Sequence, residues 1–429
     1  MYGSSLMRCA ILAAFAVLAS QSPSMDRFPF IIDGWLFLSL RMMVGEYGRW
    51  LPIIVFGAGI LADFLAPWLP RCSVPVRHAG RWAVTLTVVA GLGFWLARVP
   101  FWFGDCMGVD GVPIPELGFQ PSELLGQILS TSMRMLGAAV GVKSSTAMAV
   151  ETILYGSTAV AALFLWSRTV STQWPLVFGM LTSCGFMVLF CGYVEISTPK
   201  SVAVVCWYVY FMTTALRAWQ TRPLFLANVF LALAGLIHGS ALCWLPAHIW
   251  TIWRHARGRF AVAVSIAGFL LPIVAWSVFF IVVRPRMWTP LGNMTAPIQW
   301  FEAYCVTNCE YDFWSVAHLF DIVNCLLILS PMAILCLPEA FWHARSVAAR
   351  WLALGAVGWL FLSVIWFPVF GHLGDWDIFA GTPLVLSYFG ILVAVEVMAA
   401  KQLQRLAYAW LVVSLLHTLS WWNLFRTPP

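Results

Sequence analysis

Residues 223–253 read PLFLANVFLALAGLIHGSALCWLPAHIWTIW. The stretch is apolar throughout, and it is too long for one membrane span, which needs roughly 20 apolar residues. His238-Gly239-Ser240 sits at its middle. It therefore reads as two short helices, near 223–237 and 240–253, that meet at one membrane face. Working outward, similar apolar runs lie near 51–70, 81–100, 145–166, 174–192, 199–218, 260–283, 317–337, 350–369, 376–397 and 404–422. The expected fold is all-α, a polytopic transmembrane helix bundle with about 11–13 spans.

Composition agrees. Of 429 residues 61% are hydrophobic and only 10% are charged, against about 25% charged in an average soluble domain. The 25 tryptophans and 31 phenylalanines suit interfacial belts and aromatic-lined cavities. The formal net charge of +6 does not imply nucleic acid, because the basic residues are scattered through short loops. The eleven cysteines show no zinc-type spacing, and Cys184, Cys191, Cys206 and Cys336 read as small core residues in apolar runs. There is no repeat of fixed period, no low-complexity tract and no soluble domain.

The N-terminal 75 residues read as an addition to a main domain over 76–429. Arg8 followed by Cys9–Ala19 has the form of a signal peptide or of a short first span. Residues 28–44, interrupted by Asp33 and Arg41, read as an interfacial or re-entrant piece.

Orientation follows from Lys and Arg, which concentrate in cytoplasmic loops. Arg71, Arg77 and Arg81 mark one loop as cytoplasmic. Alternating from there, Arg168, Arg217 with Arg222, Arg254 with Arg257 and Arg259, Arg345 with Arg350, and Lys401 with Arg405 also fall inside. Of the 18 acids, all but Asp63, Glu151, Glu339 and Glu396 then fall outside, and Asp63, Glu151 and Glu396 lie within spans. Two outer loops are long, about 101–144 and 284–316. Within the first, Leu124–Val140 has apolar positions at helical spacing with Gln127, Ser130, Ser132 and Arg134 between them. That pattern predicts a helix lying along the outer membrane surface. In the second, Cys305 and Cys309 are spaced for a disulfide in an oxidising compartment.

The acids and histidines at the outer helix ends are the candidates for chemistry. Asp105 follows a span in Phe103-Gly104-Asp105, and an acid beside a lipid headgroup gains basicity by desolvation, as a general base requires; a solvated loop acid is the bland alternative. Asp110 and Glu123 lie in the same loop. Glu195, at the end of Gly192-Tyr193-Val194-Glu195, is placed to orient a sugar hydroxyl or to pair with Lys200. His238 is placed to donate to a phosphate or a sugar hydroxyl, or to cap exposed carbonyls. His318, Asp321 and Asn324 share one helix face, and such polar residues atop an apolar span are costly unless they face a cavity or each other. His372, Asp375 and Asp377 occur at another outer helix start, where Asp375 also suits an N-cap. Arg98, Arg284 and Arg286 are the candidates for a lipid phosphate, or else snorkel to the interface. No pair has the spacing of a recognised metal motif, so a divalent ion is not favoured and no cofactor is expected.

Together these pieces resemble bacterial membrane proteins allied to the GT-C glycosyltransferases. The residues that carry the resemblance are Phe103-Gly104-Asp105, Phe119-Gln120-Pro121-Ser122-Glu123-Leu124, Gly192-Tyr193-Val194-Glu195, His238-Gly239-Ser240, His318 to Asn324, and Asp375-Trp376-Asp377-Ile378-Phe379. They span roughly residues 80–400. The resemblance implies a GT-C-like bundle in a bacterial inner membrane with its site on the extracytoplasmic side. It implies a polyprenyl-phosphate-linked sugar donor and a lipid, glycan or protein acceptor, with Asp105 as base. Here Cys106 follows Asp105, where the family often has a second acid. The competing classes are a transporter or flippase of a lipid-linked or small polar solute, and a non-catalytic GT-C-like membrane protein.

Overall fold

The structure, a computed structural model, describes residues 4–20, 51–69, 78–98, 124–193, 197–218, 220–255, 258–283, 304–306, 309–311, 322–323, 326–327, 329–365 and 380–424. These residues are almost entirely helical. In chain order the helices are α1 (Ser5–Ser20), α2 (Leu51–Leu65), α3 (Ala79–Leu96), α4 (Leu124–Ala139), α5 (Ser144–Val170), α6 (Trp174–Thr182), α7 (Thr198–Ala218), α8 (Thr221–Ile237), α9 (Leu245–His255) and α10 (Arg259–Val283). A short antiparallel hairpin follows, β1 (Tyr304–Val306) and β2 (Cys309–Tyr311), and then α11 (Pro331–His343), α12 (Val347–Ile365), α13 (Gly381–Val397) and α14 (Ala400–Leu424). In the hairpin Cys305 pairs with Glu310 and Cys309 with Val306, so the two cysteines are not cross-strand partners. Among the described residues four helices are long and apolar enough to cross a membrane: Ala79–Leu96, Ser144–Val170, Thr198–Ala218 and Val347–Val364.

The long apolar run divides where its sequence says it must. Helix α8 stops at Ile237, His238 takes an extended conformation, and a 3-10 turn over Gly239–Trp244 leads into α9. Two other expected spans are discontinuous. The run 174–192 is helical only to Thr182 and resumes as a 3-10 turn over Gly185–Phe190. At the break, the Ser183 hydroxyl and the Cys184 thiol both donate to the Met180 carbonyl, at 3.1 and 3.2 Å. The Thr418 hydroxyl donates to the freed Ser183 carbonyl at 2.8 Å. Side chains thus satisfy carbonyls that have lost their helical partners, as an apolar surrounding requires. In the run 317–337, Ser330 leaves the helical region, with φ of −161° and ψ of 78°, and Pro331 opens a new helix. Proline is tolerated at the first turn, because its missing N–H would have no partner there.

The chain forms two compact units. One comprises Met1–Val76, Val170–Val188 and Ile298–Pro429; the other comprises Arg77–Thr169 and Leu189–Pro297. In the first unit α2 packs between α1 and α14, while α13 packs on α11 and α12. Gly59 of α2 lies so close to α14 that a Cβ there would sit 2.4 Å from Val413 Cγ2. Arg8 of α1 donates to Asp63 of α2 at 2.9 Å, both side chains being fully buried, and Ser5 bonds the same carboxylate. The N-terminal helix therefore packs into a unit that also holds the C-terminal helices. In the second unit α7 packs against α8, and α8 against α10 and α4. Trp166 of α5, fully buried, donates to the Thr213 hydroxyl of α7 at 3.0 Å.

Candidate functional site

Helix α4 carries the site's polar floor. Gln127, Ser130 and Arg134 fall on one stripe, and all three are buried. Met135 and Leu136 are 60% and 63% exposed. The expected surface helix thus turns Gln127, Ser130 and Arg134 into the protein and Met135 and Leu136 outward, while Ser132 is exposed. That is the reverse of a helix resting on water, and it is the arrangement that hydrocarbon favours.

The stripe meets α5 and α7. The Ser130 hydroxyl donates to Glu151 Oε2 at 3.2 Å and accepts from Lys200 Nζ at 2.8 Å. Lys200 Nζ lies 3.2 Å from Glu151 Oε2, with both side chains buried. A serine beside a lysine resembles a nucleophile beside its base. Glu151 argues against that use, because the Lys200 ammonium is paired with its carboxylate. The triad is a buried ion pair bridged by a hydroxyl. It also accounts for Glu151 as an acid within a span. Asp63 is accounted for in the same way, by Arg8, whereas Glu396 is exposed and accepts from the Ser346 hydroxyl at 2.8 Å.

Arg98, just beyond α3, ties three segments together. Its Nη2 donates to Thr146 Oγ1 at 3.5 Å, and its guanidinium lies 5.6 Å from the centroid of the Trp95 ring. Its stem runs against Gly192, where a Cβ would lie 2.9 Å from Arg98 Cγ. Gly192 also has φ of +86°, a conformation L side chains rarely adopt. The next residue is pinned in turn, since the Thr152 hydroxyl donates to the Tyr193 carbonyl at 2.9 Å. Gly126 in the first turn of α4 lets that helix approach Ser197 and the Ile237 carbonyl, to 2.8 and 2.9 Å from the position of a Cβ. His238 follows immediately. Arg98, Gly192-Tyr193, Ser197 to Lys200 and the His238 junction thus gather at one end of the second unit.

At His238 the Nδ1 accepts from the Ser240 N–H at 3.2 Å and lies 2.5 Å from the Ser240 hydroxyl. A backbone amide can only donate, so Nδ1 is unprotonated and Nε2 carries the hydrogen. The histidine thus accepts from an amide of the 3-10 turn that follows it. Of the residues singled out from sequence, Arg98 and His238 are described. Asp105, Asp110, Glu123, Glu195, Arg284, Arg286, His318, Asp321, Asn324, His372, Asp375 and Asp377 lie outside the described residues. Among the described residues no group of three or more His, Cys, Asp or Glu side chains is placed to hold a metal ion.

Sequence reasoning missed three polar groups. One is the Ser130–Glu151–Lys200 triad. The second is a chain across α7, α8 and α9: Tyr208 OH meets His248 Nδ1 at 3.1 Å, and His248 Nε2 meets Asn228 Oδ1 at 2.7 Å. Asn228 Nδ2 donates to the Leu224 carbonyl at 2.7 Å, which fixes Oδ1 as acceptor and His248 Nε2 as its donor. The third, in the first unit, joins the fully buried Cys184, Ser330 and Ser387, with the two hydroxyls 2.8 Å apart and the sulfur 3.4 Å from Ser330 Oγ. The available signal was a polar residue inside each apolar helix, which must find a partner there.

No protein-family model matches the chain, and no curated protein matches it. Among solved structures it is similar to the apo crystal structure of the Archaeoglobus fulgidus oligosaccharyltransferase, at 11% identity and a TM-score of 0.40. The match covers 87% of this chain and 56% of that one, so the chain spans little more than half the length of that enzyme. A likeness of this degree bears on neither activity nor substrate.

Proposed function

We propose that the protein is an integral membrane glycosyltransferase of GT-C type, moving a sugar from a polyprenyl-phosphate donor to a lipid, glycan or protein acceptor. In this reading it works in a bacterial inner membrane, at the face that the positive-inside threading assigns to the outside. The observation that carries the reading is the convergence in the second unit. The segments from which the Asp105 loop leaves (Arg98) and to which it returns (the first turn of α4) meet the Gly192-Tyr193 turn and the His238 junction. Residues remote in sequence are thereby drawn to one end of a bundle, which is how a membrane enzyme builds a site from loops.

In this reading Asp105 takes the proton of the acceptor hydroxyl, with Asp110 or Glu123 assisting. The hydroxyl oxygen bonds to the anomeric carbon as the bond to the phosphate oxygen breaks, with inversion. Arg98, Arg284 and Arg286 hold the departing phosphate, and Glu195, His238, His318, Asp321, Asn324, His372, Asp375 and Asp377 line the sugar pocket. The test is transfer of labelled sugar from polyprenyl phosphate by membranes containing wild type or Asp105→Asn. Loss of at least 100-fold is expected for removal of a general base; unchanged turnover in correctly inserted protein overturns the assignment.

One observation favours a second reading, a transporter. The helix breaks at Ser183-Cys184 and at Ser330-Pro331 meet in the first unit around buried hydroxyls, and transporters build solute sites at discontinuous helices. Solute flux into vesicles that survives Asp105→Asn would favour it.

A further inference from the structure

Helix α9 keeps its polar side inward and its apolar side outward. Inward lie His248, bonded to Tyr208 and Asn228, and Thr251, whose hydroxyl donates to the Ala247 carbonyl. Outward lie Pro246, Ile249 and Trp253, with Ile249 61% and Trp253 80% exposed. The helix has 11 residues, which at 1.5 Å each reach about 16 Å, roughly half the hydrocarbon thickness. It ends in Arg254 and His255, and α10 begins with Arg259 and Phe260. Arg254 and Arg259 are exposed, and Phe260 is 71% exposed. Each arginine thus adjoins an exposed aromatic ring, Trp253 before Arg254 and Phe260 after Arg259. Between them Gly258 has φ of +88°, and a Cβ there would meet no described atom within 4 Å. Beyond the turn, Val262, Ile266 and Leu270 continue the exposed apolar surface along α10.

No described carboxylate offsets this charge. Among the described residues of the second unit the single acid is Glu151, buried against Lys200. The turn between α11 and α12 in the first unit is different. It also exposes a tryptophan, Trp342, with Arg345 and Arg350, but there the Glu396 carboxylate accepts from the Ser346 hydroxyl, between the two arginines in sequence.

We infer that the α9–α10 turn is a docking surface for an anionic bilayer leaflet. Trp253 and Phe260 enter the headgroup boundary, while Arg254 and Arg259 meet the negative charge of the leaflet. Zwitterionic phospholipids carry a phosphate too, so what this surface selects is net charge. The outward stripe of α9 favours a bilayer over an acidic peptide, which would leave the Trp253 and Phe260 rings in water. Neither Asp105 nor sugar transfer enters, so failure here leaves the transferase reading untouched.

The test counts lipids bound to the full-length chain in neutral detergent by native mass spectrometry, with phosphatidylglycerol and phosphatidylcholine of the same acyl chains. Phosphatidylglycerol is expected to bind at least about fivefold more tightly, and about 0.5 M salt is expected to bring the preference below twofold by screening. Arg254→Gln combined with Arg259→Gln lowers the phosphatidylglycerol affinity by about fivefold per arginine and leaves phosphatidylcholine binding within twofold. Both side chains are exposed, so the fold does not depend on them. Arg345→Gln combined with Arg350→Gln removes the same charge from the first unit and leaves the preference within twofold. Equal affinity of the wild type for the two lipids, a fall of less than fivefold in the α9–α10 double variant, or an equal fall in the first-unit variant overturns the inference. So does tighter binding of soluble polyglutamate than of phosphatidylglycerol, which identifies an acidic protein as the partner.

Discussion

Lys200→Met is the sharpest test of how the second unit holds together. The substitution keeps a flexible apolar stem in place and removes the ammonium. Glu151 is left as a buried carboxylate with Ser130 as its described partner, and the Ser130 hydroxyl loses the donor 2.8 Å away. Breaking one side of a buried ion pair costs about 3–5 kcal/mol. At 1.4 kcal/mol per factor of ten, that is a drop of roughly 10² to 4 × 10³ in the folding equilibrium. Glu151→Gln added to Lys200→Met removes the stranded charge. The double variant is therefore expected to recover at least about 2 kcal/mol, because replacing both partners is far cheaper than replacing one. The assay is reversible unfolding in mixed micelles, followed by intrinsic tryptophan fluorescence, for wild type, both single variants and the double. A Lys200→Met protein within 1 kcal/mol of wild type, or a double variant no better than the worse single one, would refute the reasoning.

Other outcomes follow from the same geometry. Gly192→Ala meets both a φ of +86° and the Arg98 stem, so it should cost about 1–3 kcal/mol, read as a lowered unfolding midpoint. Exchanging His248 for Phe leaves the Tyr208 hydroxyl and Asn228 Oδ1 without the ring nitrogens that now meet them; a loss of about 2–4 kcal/mol is expected, and Asn228→Leu in the same background should add little. Arg8→Met should destabilise the first unit by about 3–5 kcal/mol, with recovery when Asp63→Asn is combined with it, measured by protease resistance of the extracted protein.

The architecture was legible because hydrocarbon imposes length and composition on a span. The run 223–253 even marked its own break at His238. The discontinuities at Ser183 and Ser330 were less legible, since serine, cysteine and proline inside an apolar run carry little hydropathy signal. Their effect depends on side chains from elsewhere, such as Thr418 on the Ser183 carbonyl. Helix α4 shows a different gap. Its polar stripe was visible in the sequence, but which way the stripe faces depends on whether water or lipid lies outside. The pairing of Lys200 was equally out of reach: Glu195 is its neighbour in sequence, while Glu151 meets it only through the packing of α5 on α7.

The clasp between Arg8 and Asp63 has a consequence for biogenesis. An aspartate entering the bilayer alone resists insertion, by as much as about 2.5–3.5 kcal/mol at a helix centre. Because α1 leaves the ribosome before α2, the arginine is already waiting when the acid arrives. The two helices can then partition as a neutral pair, and the order of synthesis becomes part of how the first unit is assembled.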